Sequence, residues 1–463
     1  MSYDLIVIGG GPAGYWAARR ASDENLRTLL IEKKSIGGTC LNEGCIPSKV
    51  LLNSAKLFTS VKEGAKFGVV ADNVKFEPET VIERKNRIVK KLSGGILNQL
   101  KSRGTEIIYG KAKIIGKMDG VFELTVNDTV VRGKNLLIAT GSKPKIPVID
   151  GIMEGLENGY VLTNSEFLDL KSLPASLVIL GAGAVGLETA SYYSMLGCKV
   201  TVLEMSDRIA LNTGRGFAEN LMKIFRKKGI DFYFNSSILN ISHDSITFYS
   251  NGREYVLHPD YVLLCTGRTP VVDELGIENI GLTPEKDGIK IDETCQTNIS
   301  RVYAAGDVTG GSMLAHTAFR QADVCVNNIL GKKDVMRYDN IPYVIYSCPE
   351  IAGVGETEES AAGKGINYEK HTLSLQYSGR FVAENESGFE LCEILVDKNS
   401  RRLIGVHIAG SYVSEIIYGA AVMIERKMEL KDIKEVVFPH PSISEIIREG
   451  IFQIDSILGS EGG

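Results

Sequence analysis

Short apolar, β-branched runs alternate along this chain with Gly-rich turns and amphipathic stretches, and one such unit occurs twice. Residues 4–8 (Asp-Leu-Ile-Val-Ile) form a run of strand length that enters Gly9-Gly10-Gly11-Pro12-Ala13-Gly14 directly. A helix is expected from Tyr15 to about Ser22, followed by a second strand, Thr28 to Ile31, ending at Glu32. The same order recurs where Leu177 to Leu180 enters Gly181-Ala182-Gly183-Ala184-Val185-Gly186, then a helix, then Lys199 to Leu203 and Glu204. From first Gly to acid the interval is 23 residues in both copies. One G-x-G-x-x-G is a weak signal. Two in strand–loop–helix–strand context at one interval are a specific one.

Each unit has a distant apolar run ending in a Gly turn, Leu136 to Ser142 and Val262 to Arg268. Both are expected to return as strands to their own parallel sheet. A further strand, Val302 to Ala305, leads into Gly306-Asp307, and residues 313–330 read as helix. From about Pro342 the chain changes to alternating strands and amphipathic helices without Gly-rich loops. The expected fold class is α/β, with two Rossmann-like dinucleotide-binding domains and a C-terminal α+β domain. Boundaries are expected at 1–146, 147–272, 273–341 and 342–463, and Ser460 to Gly463 are expected to fray.

Composition narrows the function. The chain has 463 residues, 44% hydrophobic and 24% charged, the mix of an ordinary globular protein. A net charge of −5 gives no reason to expect nucleic acid or an anionic membrane as partner. No apolar run reaches the roughly 18 residues of a membrane span, so no membrane insertion is expected. The N-terminus enters its first strand without a basic segment, so no signal peptide is expected and a cytoplasmic location is. Six of the eight cysteines (Cys198, Cys265, Cys295, Cys325, Cys348, Cys392) are scattered and read as inert thiols. Cys40 and Cys45 stand close together in a Gly-rich stretch. Such a pair reads as redox or metal before structural, and no second ligand pair follows to favour metal.

Each Gly-rich loop lets backbone N–H groups approach a pyrophosphate at a helix N-terminus. Glu32 and Glu204 stand where a carboxylate accepts hydrogen bonds from an adenosine ribose, and Glu204 would repel a 2′-phosphate, favouring NAD over NADP. A nicotinamide carries hydride and a dithiol gives up two electrons and two protons. Flavin handles both, so one dinucleotide is most economically FAD. The thiol pair follows the first unit, which places FAD there and NAD in the second.

In a regular helix residues five apart have Cα atoms roughly 8.6 Å apart. A disulfide needs about 4.4–6.8 Å. If Cys40 and Cys45 bond, the segment between must leave helix, and Gly44 permits that before helix resumes through Ser48 to Leu52. Near the C-terminus lies Phe438-Pro439-His440-Pro441-Ser442-Ile443-Ser444-Glu445. His440 precedes a proline and is biased towards extended backbone. Thiol chemistry needs a base titrating near neutrality, and Glu445 could orient such an imidazole. Equally, Ser442 to Glu445 reads as a capping box opening a helix through Leu458.

Together these motifs resemble the disulfide-reductase flavoproteins, class I of the pyridine nucleotide-disulfide oxidoreductases, and among them the dihydrolipoamide dehydrogenase branch. The likeness covers essentially the whole chain. It is carried most specifically by Gly37-Gly38-Thr39-Cys40-Leu41-Asn42-Glu43-Gly44-Cys45-Ile46-Pro47-Ser48-Lys49. Ala304-Ala305-Gly306-Asp307, Met313-Leu314-Ala315-His316, Pro349 to Gly355 and His440-Pro441 to Glu445 add to it.

The resemblance implies an FAD-binding domain first, an NAD-binding domain second, a central domain completing the FAD site and a C-terminal interface domain. It implies catalytic roles for Cys40, which exchanges with a dithiol substrate, Cys45, which faces the flavin, and His440 with Glu445, acting on the partner subunit's disulfide in a homodimer. For FAD it implies Gly9, Gly11, Gly14, Glu32, Gly38, Thr39, Lys49, Ala112, Thr140, Gly141, Ser142 and Asp307, with Met313, Leu314, Ala315 and His316. For NAD it implies Gly181, Ala182, Gly183, Ala184, Val185, Gly186, Glu188, Glu204, Ile238 and Gly267. No metal is implied. The implied reaction is oxidation of dihydrolipoyl groups through a Cys40–Cys45 disulfide, with one non-covalent FAD per subunit and NAD as acceptor. With no lipoyl domain ahead of the first strand, the lipoyl group is expected on another protein, a lipoyl domain or carrier of a 2-oxo acid dehydrogenase or glycine cleavage complex.

The sequence departs from the family pattern at Val271, at Phe319-Arg320-Gln321 and at Ser442. Glutathione reductases are a poorer match because Glu204 suits NAD. Mercuric and larger thioredoxin reductases need a further C-terminal thiol pair, and the last cysteine is Cys392. A flavoprotein subunit without turnover is the remaining alternative, and it would have no use for the Cys and His-Glu sets.

Overall fold

The structure is a computed structural model that describes residues 2–385 and 388–460. Of the C-terminal residues expected to fray, 461–463 lie outside the described residues; Ser460 ends the last helix.

Three sheets organise the chain. The first is built around four parallel strands, Glu106–Tyr109, Thr28–Glu32, Tyr3–Ile8 and the inner half of Thr129–Ile138. The outer half of that last strand pairs antiparallel with Val121–Val126, which pairs in turn with Ala112–Met118. Far later in the chain Val302–Ala304 joins the same sheet, parallel, with Val302 opposite Leu136. Every residue of Thr28–Glu32 is buried, as a parallel strand covered on both faces requires.

The second sheet repeats the plan, in the order Ile230–Tyr233, Lys199–Leu203, Ser176–Leu180, Tyr261–Leu264, Val161–Leu162. A small antiparallel sheet, Ser237–Ile241, Ile246–Ser250 and Arg253–Leu257, packs beside it. Both long-range closing strands expected from the sequence pair as predicted, residues 136–138 with 6–8 and 261–264 with 177–180. A two-stranded link, Ser142–Pro144 against Arg268–Pro270, joins the two units. The third sheet is antiparallel, in the order Tyr343–Ile345, Glu350–Gly355, Arg402–Gly410, Leu391–Asp397, Tyr368–Ser374. Helix Glu445–Ser460 covers it with Ile446, Ile447, Ile451, Ile454 and Leu458 buried.

The repeat extends to atomic detail. Gly9 and Gly181 take φ of 107° and 109°, and a Cβ on Gly14 or Gly186 would lie 1.7 or 2.0 Å from the carbonyl oxygen of Gly9 or Gly181. In both copies the third Gly lets the helix seat against its strand. The first helix begins at Pro12, three residues earlier than its apolar pattern indicates, because proline is tolerated in a helix's first turn.

Candidate active site

A cavity of about 920 Å³ runs from the first Gly loop past the two close cysteines to the second Gly loop. Its first end is walled by Gly9, Gly11, Gly38, Thr39, Glu32 and Ala112, and its floor by Thr140, Gly141, Ser142 and Asp307. Met313, Leu314 and Ala315 close one side, and Cys40, Cys45, Lys49 and Glu188 stand at the middle. Gly183, Ala184, Val185 and Gly267 form the far end. The structure therefore brings together most of the residues singled out for FAD and part of those for NAD.

Others lie elsewhere. Gly14 sits behind the first loop against Gly9. The His316 ring shares a hydrogen bond through Nε2 with the Pro342 carbonyl (2.7 Å), and burial pulls its pKa down. Gly181, Ala182 and Gly186 of the second loop do not line this cavity, and neither does Glu204, which follows the strand Lys199–Leu203. Ile238 lies on the small antiparallel sheet opposite Phe248.

The two acids make matching contacts. Glu32 accepts from Gly10 N–H (2.6 Å) and Lys34 N–H (2.7 Å). Glu204 accepts from Ala182 N–H (2.7 Å) and Ser206 N–H (2.8 Å). Each is only 8% exposed. A carboxylate has about four acceptor sites, so after clamping its loop each acid retains lone pairs for a ribose diol.

The thiol pair follows the expected break. Helix Gly38–Glu43 stops, Gly44 turns with φ −151° and ψ −107°, and helix Cys45–Lys62 begins. Both cysteines are free thiols, and the two are close enough to act on each other's titration. That contact divides their chemistry. Hydrogen bonding with Cys40 pulls the Cys45 thiol down to about 7 against the effect of burial, with help from Lys49 and opposition from Glu188. Cys40 is pushed well up, first by the Cys45 contact and then by burial. Cys45 also opens its helix, where the dipole favours a thiolate.

Around the pair lie contacts that no local pattern announced. Lys49 Nζ pairs with Glu188 Oε1 and Oε2 at 3.0 and 2.9 Å and stands 4.2 Å over the Tyr346 ring. Tyr346 N–H donates to Glu188 Oε1 (2.9 Å). Arg268 joins the units, donating from Nε to Ser142 Oγ (2.6 Å) and from Nη2 to Ser142 O (2.9 Å). Ser142 Oγ donates in turn to Asp307 (2.5 Å). Gln321, fully buried, accepts Gly306 N–H (2.7 Å) and donates to the Tyr338 hydroxyl (2.9 Å). Sequence reading passed over Arg268 and Tyr346, and noted Gln321 only as a departure. A Gly-Arg at the end of a closing strand was the one available hint.

The departures are accommodated. Phe319 packs edge-on against Tyr15 and Trp16, Arg320 pairs with Asp334, and Val271 engages Gly141 and Thr140 through its backbone alone.

His440 and Glu445 sit apart from the cavity, at the entry to the last helix. His440 Nδ1 lies 2.9 Å from Glu445 Oε1, and Glu445 Oε2 accepts Ser442 N–H (2.8 Å). The His440 side chain is 78% exposed. The capping box is half made, since Ser442 Oγ donates to the Pro439 carbonyl (2.6 Å) while Glu445 serves both Ser442 N–H and the imidazole. Burial alone would raise the Glu445 carboxyl, but the Ser442 N–H and His440 outweigh it and hold it below its ordinary value. Among the described residues, no group of three or more His, Cys, Asp or Glu is arranged to hold a metal, and no helix is long and apolar enough to cross a membrane.

Comparison with known proteins agrees with this architecture. A family model described as pyridine nucleotide-disulphide oxidoreductase matches residues 3–322, and that family's dimerisation domain matches residues 341–451. The dihydrolipoyl dehydrogenase of Mycoplasma pneumoniae is 33% identical over 453 residues, covering 97% of this chain and 98% of the relative. That of Buchnera aphidicola is 36% identical over 453 residues, 96% of this chain and 94% of the relative. Among solved structures, the HOCl-induced flavoprotein disulfide reductase RclA from Escherichia coli superposes with a TM-score of 0.85 at 28% identity, over 98% of this chain and all of that one. With its doubled dinucleotide unit, its thiol pair and both domain matches, the chain belongs to the pyridine nucleotide-disulphide oxidoreductase family.

Proposed function

We propose that this protein oxidises dihydrolipoyl groups to lipoyl groups and reduces NAD, acting as a homodimer with one non-covalent FAD per subunit. The observation that carries the reading is the pair of thiols facing the cavity between two Gly loops, each loop hydrogen-bonded to a buried carboxylate. The residues fit FAD. The first loop's N–H groups and helix N-terminus suit a pyrophosphate, Glu32 suits a ribose, and Asp307, with Ser142 beside it, would hold the ribityl or phosphate part. Bound there, FAD would supply the two-electron relay between the thiol pair and NAD. The proposed domains are 1–146 for FAD, 147–272 for NAD, 273–341 completing the FAD site and 342–463 as the interface.

The chain's own residues handle the thiol chemistry. A dihydrolipoyl thiolate attacks the Cys40 sulfur of the oxidised pair, and Cys45 leaves as thiolate, which its low pKa favours. The second substrate thiol then attacks its own sulfur in the mixed disulfide and releases Cys40, whose high pKa draws a proton back onto it. His440 takes the substrate's protons, held by Glu445 with Nε2 outward. Its exposure and its position in the dimerisation domain support action on the partner subunit's pair. Lys49 holds positive charge beside Cys45, and Glu188 fixes Lys49.

The lipoyl group is proposed to arrive on a lipoyl domain or carrier protein of a 2-oxo acid dehydrogenase or glycine cleavage complex. The protein is proposed to work in the cytoplasm. The test is NADH formation by the purified yellow protein from dihydrolipoamide and NAD, with NADP and glutathione as controls. Rapid turnover with NAD and dihydrolipoamide alone is expected. A flavin-bearing protein with an intact thiol pair and no turnover would point to another disulfide substrate.

A further inference from the structure

The segment 205–214 joins Glu204 to helix Arg215–Lys227, and it is held at both ends. At the nucleotide end Ala210 N–H donates to Ala182 O (3.1 Å), inside the second Gly loop, and Ser206 N–H donates to Glu204. Thr213 folds the segment on itself, its hydroxyl donating to Ala210 O (2.8 Å). At the other end it meets the C-terminal domain. Glu359 Oε1 accepts the Arg215 N–H (2.8 Å) at the start of the helix and lies 3.9 Å from Arg208 Nη2.

Glu359 is itself fixed. It lies in helix Glu358–Gly363, whose start is capped by Thr357 accepting from Ser360 N–H (3.2 Å). Its neighbour Glu358 pairs with Lys370, which stands 3.5 Å from the buried Glu393. A carboxylate at a helix N-terminus gains from both the free N–H and the helix dipole. This one comes from another domain, so it couples the two.

We propose that Glu359 is a positioning residue for NAD: it anchors the 205–214 segment to the C-terminal domain, and through Ala210 and Ser206 holds the second Gly loop and Glu204 in binding geometry. The proposal rests on reading that loop as the NAD site. Glu359 does not line the cavity that holds the thiol pair. NAD affinity thereby depends on the docking of the domain through which two copies assemble.

The test uses the full-length holoenzyme with Glu359→Ala and Glu359→Gln, and Glu204→Ala as reference. Steady-state constants for NAD and dihydrolipoamide are measured beside reduction of the flavin by dihydrolipoamide without NAD. Loss of one charge-assisted hydrogen bond is expected to raise KM for NAD about tenfold in Glu359→Ala. Glu359→Gln, which keeps a neutral acceptor for Arg215 N–H, should raise it less. The KM for dihydrolipoamide, kcat at saturating NAD and flavin reduction should stay within about twofold, a split that general destabilisation would not produce. An unchanged KM for NAD in both variants, with Glu204→Ala raising it, overturns the proposal. So does parallel loss of both half-reactions in Glu359→Gln. If Glu204→Ala also leaves the KM for NAD unchanged, the NAD reading of the loop fails and this proposal falls with it.

Discussion

Lys49 and Glu188, 139 residues apart, form an ion pair of 2.9 Å that ties the helix opened by Cys45 to the helix opened by the second Gly loop. Both charges act on Cys45, and with opposite sign. Lys49 favours the thiolate and Glu188 disfavours it.

The pH at which that thiolate forms is therefore tunable. In wild type the hydrogen bond with Cys40 holds the Cys45 thiol near 7, so the long-wavelength absorbance of a thiolate beside the flavin should appear as pH rises through that value. Lys49→Met removes a favourable cation and should move the midpoint up. Glu188→Gln removes an unfavourable anion and should move it down. Midpoints moving together, or the reverse order, in anaerobic spectroscopic titrations would refute the electrostatic assignment.

His440→Gln should lower dihydrolipoamide oxidation by about 10²-fold or more, the usual scale for losing a general acid–base, with flavin still bound. Glu445→Gln keeps an acceptor for Ser442 N–H but loses the charge that orients the ring, and should cost less. Turnover assays with flavin quantified per subunit decide it.

The duplicated loops should fail separately. A Cβ at Gly14 would meet Gly9 O at 1.7 Å, and one at Gly186 would meet Gly181 O at 2.0 Å. Gly14→Ala should yield protein depleted of FAD. Gly186→Ala should stay yellow and be reduced by dithiol, yet show a raised KM for NAD. Flavin spectra and the two half-reactions separate these outcomes.

Gln321→Leu should weaken flavin retention without reaching the cavity wall. It strands the buried Gly306 N–H beside Asp307, at a cost of about 1–3 kcal/mol. Measured flavin dissociation should speed up, while Gln321→Glu, which keeps an acceptor, should lose less.

The sequence showed the closing strands at long range, since residues 136–138 and 261–264 are apolar runs ending in Gly turns, but within the site what it showed was local. The Gly loops, their acids and the break at Gly44 each depend on a few consecutive residues, and the structure places them as their backbone chemistry requires. Side-chain ties between segments were not readable. Arg268 meets Ser142 across 126 positions, and Tyr346 meets Glu188 across 158. Neither leaves a periodicity or a spacing. Ser442 and Glu445 show the converse, a short-range motif of which only the Glu445 half forms, the Ser442 hydroxyl turning to Pro439 and the second Glu445 oxygen to the imidazole.

The separation of His440 from the cavity has a genetic consequence. On the proposed two-fold arrangement a Cys45→Ser subunit still lends its histidine, and a His440→Gln subunit still offers its thiols. Two inactive alleles, coexpressed and paired at random, should restore about a quarter of normal turnover, because half the dimers would be mixed and each mixed dimer would own one whole centre. Each enzyme molecule would then be two interlocked catalysts, and a defective copy could silence or rescue its neighbour.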